Sequence, residues 1–258
     1  MTTAFIYSMS AVFGLLFGSF ANVAVLRDGD WKGILVGHSR CPDCKHSLSA
    51  FDLVPALSFA FLRGRCHYCH KAISWQYPVV EVCGAGLAVL SAWYGWIGQG
   101  NAGLAVSVFL NLLFLLVIAV EDIRSQEVSL PYCVLAGVFG GAGAWLSGAL
   151  PLIVVVEGIV AGAGIILLIS GLWKLTTGTD GMGSGDAWIA GAVGALVGWP
   201  LILIAFGTAV MSGAALGLVL YGRGPSGLKT RLAFGPFLAF GALIAMIWGQ
   251  TILRWYII

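Results

Sequence analysis

Apolar residues fall along this chain in long, nearly unbroken blocks. Residues 4–26, 78–98, 102–121, 131–149, 151–173, 200–221 and 232–253 each form one, and 186–199 forms a shorter one. A helix that crosses a bilayer needs about 20 apolar residues. The pattern therefore predicts about eight transmembrane helices. Gly98-Gln-Gly-Asn101 parts the second and third, Pro151 opens the fifth, and Pro200 marks the join of the sixth to the seventh. The first block lacks a basic start and a small-residue cleavage site, so it is expected to be a retained helix, not a signal peptide. One long polar interruption, residues 27–77, follows it. The expected architecture is an all-α polytopic membrane protein. Residues 1–26 form the first helix, 27–77 a small inserted domain, and 78–258 the membrane bundle.

Composition agrees with this reading. Apolar residues make up 59% of the 258, charged residues only 9%, and mean hydropathy is +0.96. An ordinary soluble domain is about 25% charged. A water-soluble enzyme, a disordered tail and a nucleic-acid protein with a broad basic surface are all excluded. The 37 glycines suit close helix packing in lipid. Runs such as Gly137 to Gly143 and Gly158 to Gly164 read as packing faces.

Charge placement sets the expected orientation. Seven of the thirteen Lys and Arg, all four His and four of the eleven acids lie within 27–77. With eight spans, this island shares a side with the loops holding Arg124, Lys174, Arg223, Lys229 and Arg231, leaving only Arg254 opposite. Cations collect on the cytoplasmic side, so the island is expected there and both termini outside. Seven cations against four acids give the island too modest a charge to argue for nucleic acid.

The island carries Cys41-Pro-Asp-Cys44 and Cys66-His-Tyr-Cys69, with 21 residues between the pairs. Two such knuckles can bring four thiolates around one zinc ion, and four ligands leave no open position, so the metal would be structural. A domain this small gains from a metal staple, and a reducing compartment favours metal over disulfides. Two redox pairs are the alternative, and His67 and His70 stand close enough to compete as ligands. Cys83 and Cys133 lie in apolar blocks and read as small apolar residues.

Ionisable groups at a span boundary are functional candidates. Asp122 ends the third block, and Asp186 opens the sixth directly after Gly181-Met-Gly-Ser-Gly185. Both belong at the same membrane edge. Two such carboxylates can share a proton, so that one acts as a base on water while the other polarises a carbonyl. This is the chemistry of an aspartic peptidase. Gly183 and Gly185 would let the backbone approach a substrate strand. Asp186 as a simple helix cap remains equally open. Glu121 and Glu127 read as interfacial solvation, Glu81 and Glu157 as groups with polar partners inside the bundle, and Asp180 as a loop acid.

These motifs, in this order, resemble the type IV prepilin peptidases, from about residue 14 to 241. Gly18-Ser-Phe-Ala-Asn-Val23 is similar to the family's opening signature. Ser39-Arg-Cys-Pro-Asp-Cys44, Leu53-Val-Pro55, Arg63-Gly-Arg-Cys-His-Tyr-Cys69 and Ile73-Ser-Trp-Gln-Tyr-Pro78, followed by Glu81, resemble its zinc domain. Gly181-Met-Gly-Ser-Gly-Asp186 matches its GxGD motif, and Phe234-Gly-Pro-Phe237 its late FGP motif. Two positions depart from the family pattern. The Leu-Pro-Asp element usual after the first aspartate is replaced by a displaced Leu130-Pro131 with no following acid, and Gln76 stands where many relatives carry Arg.

The resemblance implies a bacterial inner-membrane aspartic peptidase whose catalytic pair is Asp122 and Asp186. Such enzymes cut the basic leader from prepilins and pseudopilins after a Gly, at the cytoplasmic face. The tetracysteine domain implies a second activity, methylation of the new N-terminal amine with S-adenosylmethionine. No glycine fingerprint marks the methyl-donor site. Two other readings are a transporter or adaptor with a zinc-ribbon docking domain, and a GxGD peptidase without methyltransferase activity. The interfacial position of the acids and the zinc island argue against them.

Overall fold

A computed structural model describes residues 2–27, 30–179, 183–222 and 232–257. Asp28, Asp180, Gly181, Met182, Arg223, Lys229 and Arg231 lie outside the described residues. Among the described residues, ten α-helices occur in chain order: α1 (Thr3–Leu26), α2 (Trp31–Val36), α3 (Leu57–Phe61), α4 (Gln76–Ser91), α5 (Ala102–Ser125), α6 (Leu130–Leu146), α7 (Leu152–Thr177), α8 (Ser184–Val197), α9 (Leu201–Tyr221) and α10 (Gly235–Ile257). A π-helical turn, Ala92–Ile97, extends α4. All eight long apolar blocks are helical. Six helices (α1, α4 with its π turn, α5, α7, α9 and α10) are long and apolar enough to cross a membrane. The other two, α6 and α8, have 17 and 14 residues. At 1.5 Å per residue they reach about 26 and 21 Å, short of a hydrocarbon core about 30 Å thick. The chain is a multi-pass membrane protein.

Met1–Trp93 and Tyr94–Ile258 form two compact units. In the first, α1 packs along α4 through glycines. Gly14 meets Gly84, and a Cβ on Gly18 would lie 2.7 Å from the Glu81 Cα. Close approach of this kind is how helices gain contact in lipid. The signature residue Asn22 is buried in this seam. Its side-chain amide donates to the Tyr77 carbonyl at 3.1 Å, and Gln76 donates to its oxygen at 3.3 Å. Gln76 therefore serves as a neutral clasp between α1 and α4. Glu81, as expected, has polar partners: it accepts the Ala56 N–H at 2.7 Å and bonds to Ser19.

In the second unit, α8 is buried along nearly its whole length and is packed by α5, α6, α7, α9 and α10. Gly158 and Gly162 of α7 meet Gly194 and Ala190 of α8 backbone to backbone. Asn111, fully buried on α5, donates to the Ala136 carbonyl of α6 at 2.7 Å and to the Ala192 carbonyl of α8 at 3.4 Å. Large side chains such as Leu167, Leu168 and Leu172 point outward from α7, as lipid contact requires. Glu157 is also exposed on α7, contrary to the expectation of a partner within the bundle. The next residue, Gly158, faces α8, which turns Glu157 away from it. Cys133 is buried, as expected of a small apolar residue, whereas Cys83 is exposed on α4.

Candidate functional site

Asp122 sits one turn from the end of α5. Gln126, at φ 56°, closes that helix in the left-handed conformation and donates its N–H to the Asp122 carbonyl at 3.0 Å. The Asp122 side chain is buried, and Oδ2 accepts the Gly235 N–H at 2.7 Å. Gly235 is the first residue of α10. Its N–H is one of the donors that a helix start leaves without an intrahelical partner, and the positive end of the helix dipole favours a carboxylate there. Pro236 follows, where a missing N–H costs nothing. Phe234-Gly-Pro-Phe237 is thus a helix start aimed at Asp122. The motif is visible in the sequence, but the role of Gly235 is not. A Gly-Pro pair opening an apolar run was the available signal.

Asp186 is the third residue of α8, behind the N-cap Gly183. Its N–H donates to the Gly183 carbonyl at 3.2 Å, and its half-buried carboxylate turns back toward the Gly183 N–H. Helix-start stabilisation is therefore part of its environment, but not all of it. The carboxylate also lies within Coulombic range of Asp122. Ile189, one turn along α8, would be 3.2 Å from a Cβ on Gly235. Gly185 packs on the segment after Asp122, with a would-be Cβ 2.8 Å from the Val128 Cβ. Three helix ends thus bring two carboxylates to one place, each beside a backbone donor. Such a pair can hold one proton and one water between them.

Two neighbours differ from expectation. Glu121 is buried, not solvated at the interface, and accepts the Ser129 hydroxyl at 3.2 Å. Ser129 is the N-cap of α6, so Glu121 ties the end of α5 to the start of α6. The displaced Leu130-Pro131 opens α6, with Pro in its first turn and Tyr132 buried behind it. Glu127 is exposed, as expected.

The island builds the same knuckle twice. Cys41 N–H donates to the His46 carbonyl and Cys66 N–H to the Lys71 carbonyl, at 3.0 and 2.8 Å. Lys45 and His70, each four residues past its first cysteine, take φ 59° and 58°. Isolated bridges Arg40 to Ser47 and Arg65 to Ala72 flank the two turns. The sulfurs of Cys41, Cys44, Cys66 and Cys69 all lie within 4.8 Å of one another, and Cys41 and Cys69 are 3.9 Å apart. Zinc–sulfur bonds of about 2.3 Å place tetrahedral sulfurs about 3.8 Å apart, so the donor set fits that ion. The Cys44 backbone N–H directed at Cys41 brings its thiol down to about 7. Neither neighbouring histidine joins the sulfur group, and His67 Nδ1 instead meets Asp52 at 3.2 Å. Lys71 and Asp43 pair across the knuckles at 2.7 Å, which raises the ammonium pKa.

The two halves of the chain match two family models. Residues 12–95 match the Bacterial Peptidase A24 N-terminal domain, and residues 109–218 match the Type IV leader peptidase family. A prepilin leader peptidase/N-methyltransferase of Aeromonas salmonicida is 31% identical over 97% of this chain and 94% of its own length. The chain belongs to the type IV leader peptidase family. Proteins of the same description from Pseudomonas putida and Burkholderia pseudomallei are each 32% identical, over 98% and 94% of this chain and 94% and 85% of their own lengths. No solved structure gives a significant match. The first matched segment spans α1, the island and α4. The second holds Asp122 and Asp186 but stops before Gly235.

Proposed function

We propose that this protein is a membrane aspartic endopeptidase that removes the basic leader of type IV prepilins or pseudopilins after Gly, and that it methylates the new N-terminal amine. Asp122 and Asp186 are the catalytic pair. The observation that carries this reading is the convergence of the two carboxylates from α5 and α8, with the Gly235 N–H fixed on Asp122 at 2.7 Å. One carboxylate takes a proton from water as it attacks the scissile carbonyl. The other, protonated, hydrogen-bonds the developing oxyanion, and the proton then passes to the leaving amine. Gly183, exposed at the start of α8, leaves room for an extended substrate strand beside Asp186, while Gly185 lets Val128 pack against the helix. Asp122→Asn and Asp186→Asn should each abolish cleavage of a prepilin in detergent, read as the mass of the product, while the protein still folds and holds zinc. Retained cleavage in either variant refutes the pair.

Cys41, Cys44, Cys66 and Cys69 would hold one structural zinc, which supplies the island with the stability its small core lacks. S-adenosylmethionine is the methyl donor that the family's second activity requires. The sequence gives it no glycine fingerprint, so its site is left unassigned. The charge distribution supports an active site facing the cytoplasm of a bacterial inner membrane.

A further inference from the structure

The island presents an apolar corner that its own fold does not cover. Leu57 and Phe61 lie one turn apart on the same face of α3 and are exposed, Phe61 at 84%. Phe51, 87% exposed, sits at a bend held rigid by Asp52, which accepts both the N–H and the hydroxyl of Ser49, at 2.9 and 2.7 Å. Directly after α3 in the chain, Leu62, Arg63, Arg65, Cys66, His67 and His70 line a cavity of about 380 Å³. Phe61 directly precedes the lining residues Leu62 and Arg63. Asp52, next to Phe51, bonds to His67 in the cavity wall. Two exposed aromatic residues are therefore linked through their chain neighbours to the wall of a basic hollow.

The depth of this corner is fixed by the membrane span itself. The Ala56 N–H, at the start of α3, donates to Glu81 at 2.7 Å, and Glu81 is the sixth residue of α4. Five residues of helix rise about 7.5 Å, similar to the headgroup layer on one side of a bilayer. Phe59 of α3 packs against Trp75, at the head of the same span, with ring centroids 4.9 Å apart and the planes tilted by 59°. Trp75 is 73% exposed, as befits an aromatic at the interface. The corner is thus tied alongside the first turns of a spanning helix, at the depth where the headgroups of a bilayer would lie.

We propose that residues 51–65 form an interfacial anchor: Phe51, Leu57 and Phe61 dip into the leaflet on the island's side, and Arg63 and Arg65 pair with the phosphates of anionic phospholipids. Apolar side chains beside basic ones are the recognised composition of elements that lie in the interface plane. A cationic peptide, such as a basic leader, would be repelled by the same two arginines, which favours lipid as the occupant. The test places p-benzoylphenylalanine at position 61 of the full chain in nanodiscs. Illumination should give phospholipid adducts, more with phosphatidylglycerol than with phosphatidylcholine. Arg63→Ala and Arg65→Ala should each reduce the preference roughly fivefold, and Arg63→Lys with Arg65→Lys should keep most of it. Adducts on protein alone, adducts on an added prepilin, or equal yields in the two lipids overturn the proposal. So does loss of the preference in excess inorganic phosphate, which would assign the hollow to a soluble anion.

Discussion

Replacing Gly235 by Ala tests the proposed site without touching either carboxylate. The added methyl would lie 2.9 Å from Asp122 Oδ2 and 3.2 Å from Ile189 Cδ1. Ordinary carbon contacts are about 3.5 Å or longer, so the carboxylate must retreat by about half an ångström. Retreat stretches the hydrogen bond from the Gly235 N–H, now 2.7 Å. A hydrogen bond to a charged group contributes about 1.5–3 kcal/mol, and a misplacement of about 1 Å in a reacting group costs about 100-fold in rate. Together these give an expected loss of about 10- to 100-fold in prepilin cleavage. The loss should appear mainly in kcat, since a substrate helix held elsewhere in the bundle still binds. The matched control is Gly213→Ala, whose methyl would meet nothing closer than Phe237 at 3.6 Å; it should cleave normally. Cleavage rates and thermal unfolding midpoints of the two variants in the same detergent decide the matter. Wild-type cleavage by Gly235→Ala refutes the role given to its N–H. A loss matched by a lower midpoint assigns the glycine to packing alone.

Asn111→Ala should lower stability by about 1 kcal/mol, the usual size of a side-chain hydrogen bond within a membrane bundle, read as earlier unfolding in a denaturing-detergent titration. Cys66→Ser should take bound zinc from one per chain to none, by metal analysis. In the unaltered protein, zinc should be released to a competing chelator more readily as pH falls, because protons compete with the metal for the four thiolates. The Ser49 hydroxyl, with the Ser49 N–H and Tyr68, holds the Asp52 carboxyl below its ordinary 3.8. A lowered carboxyl stabilises the fold above its free-chain value and loses that effect as pH falls through the lower folded value. The stability gap between wild type and Asp52→Asn should therefore be constant well above pH 3.8 and shrink below it.

The hydrophobic blocks reveal the helices because lipid leaves a spanning chain no other regular choice. The knuckles are equally legible: each CxxC is a local turn, and their joining needs only the metal's geometry. What stayed hidden depends on faces and not on blocks. Glu121 and Glu157 look alike in sequence, each an acid in an apolar run. One faces the Ser129 cap and is buried, and the other faces outward from α7. Almost uniformly apolar helices carry little amphipathic signal, so their inner and outer sides cannot be told apart along the chain. Gly235 was hidden for a different reason. It lies 113 residues from the carboxylate it touches, and its contribution is a backbone N–H that every residue but proline has.

The short length of α8 bears directly on how the proposed pair, Asp122 and Asp186, is brought together in a lipid-embedded fold. Its 14 residues span about 21 Å, some 9 Å less than the hydrocarbon core. α8 is packed by the longer α5, α6, α7, α9 and α10 and is mostly buried, with Trp188 turned outward, so its neighbours supply most of the missing wall. The helix begins at Ser184, directly behind the exposed Gly183. Irregular backbone at such depth is tolerated only where protein or water lines it. A longer α8 would carry Asp186 away from Asp122 and close that space with side chains. A shorter α5 would leave Asp122 without the Gln126 cap that ends its helix one turn beyond. The offset between a full-length α5 and a short α8 is what brings the two acids together.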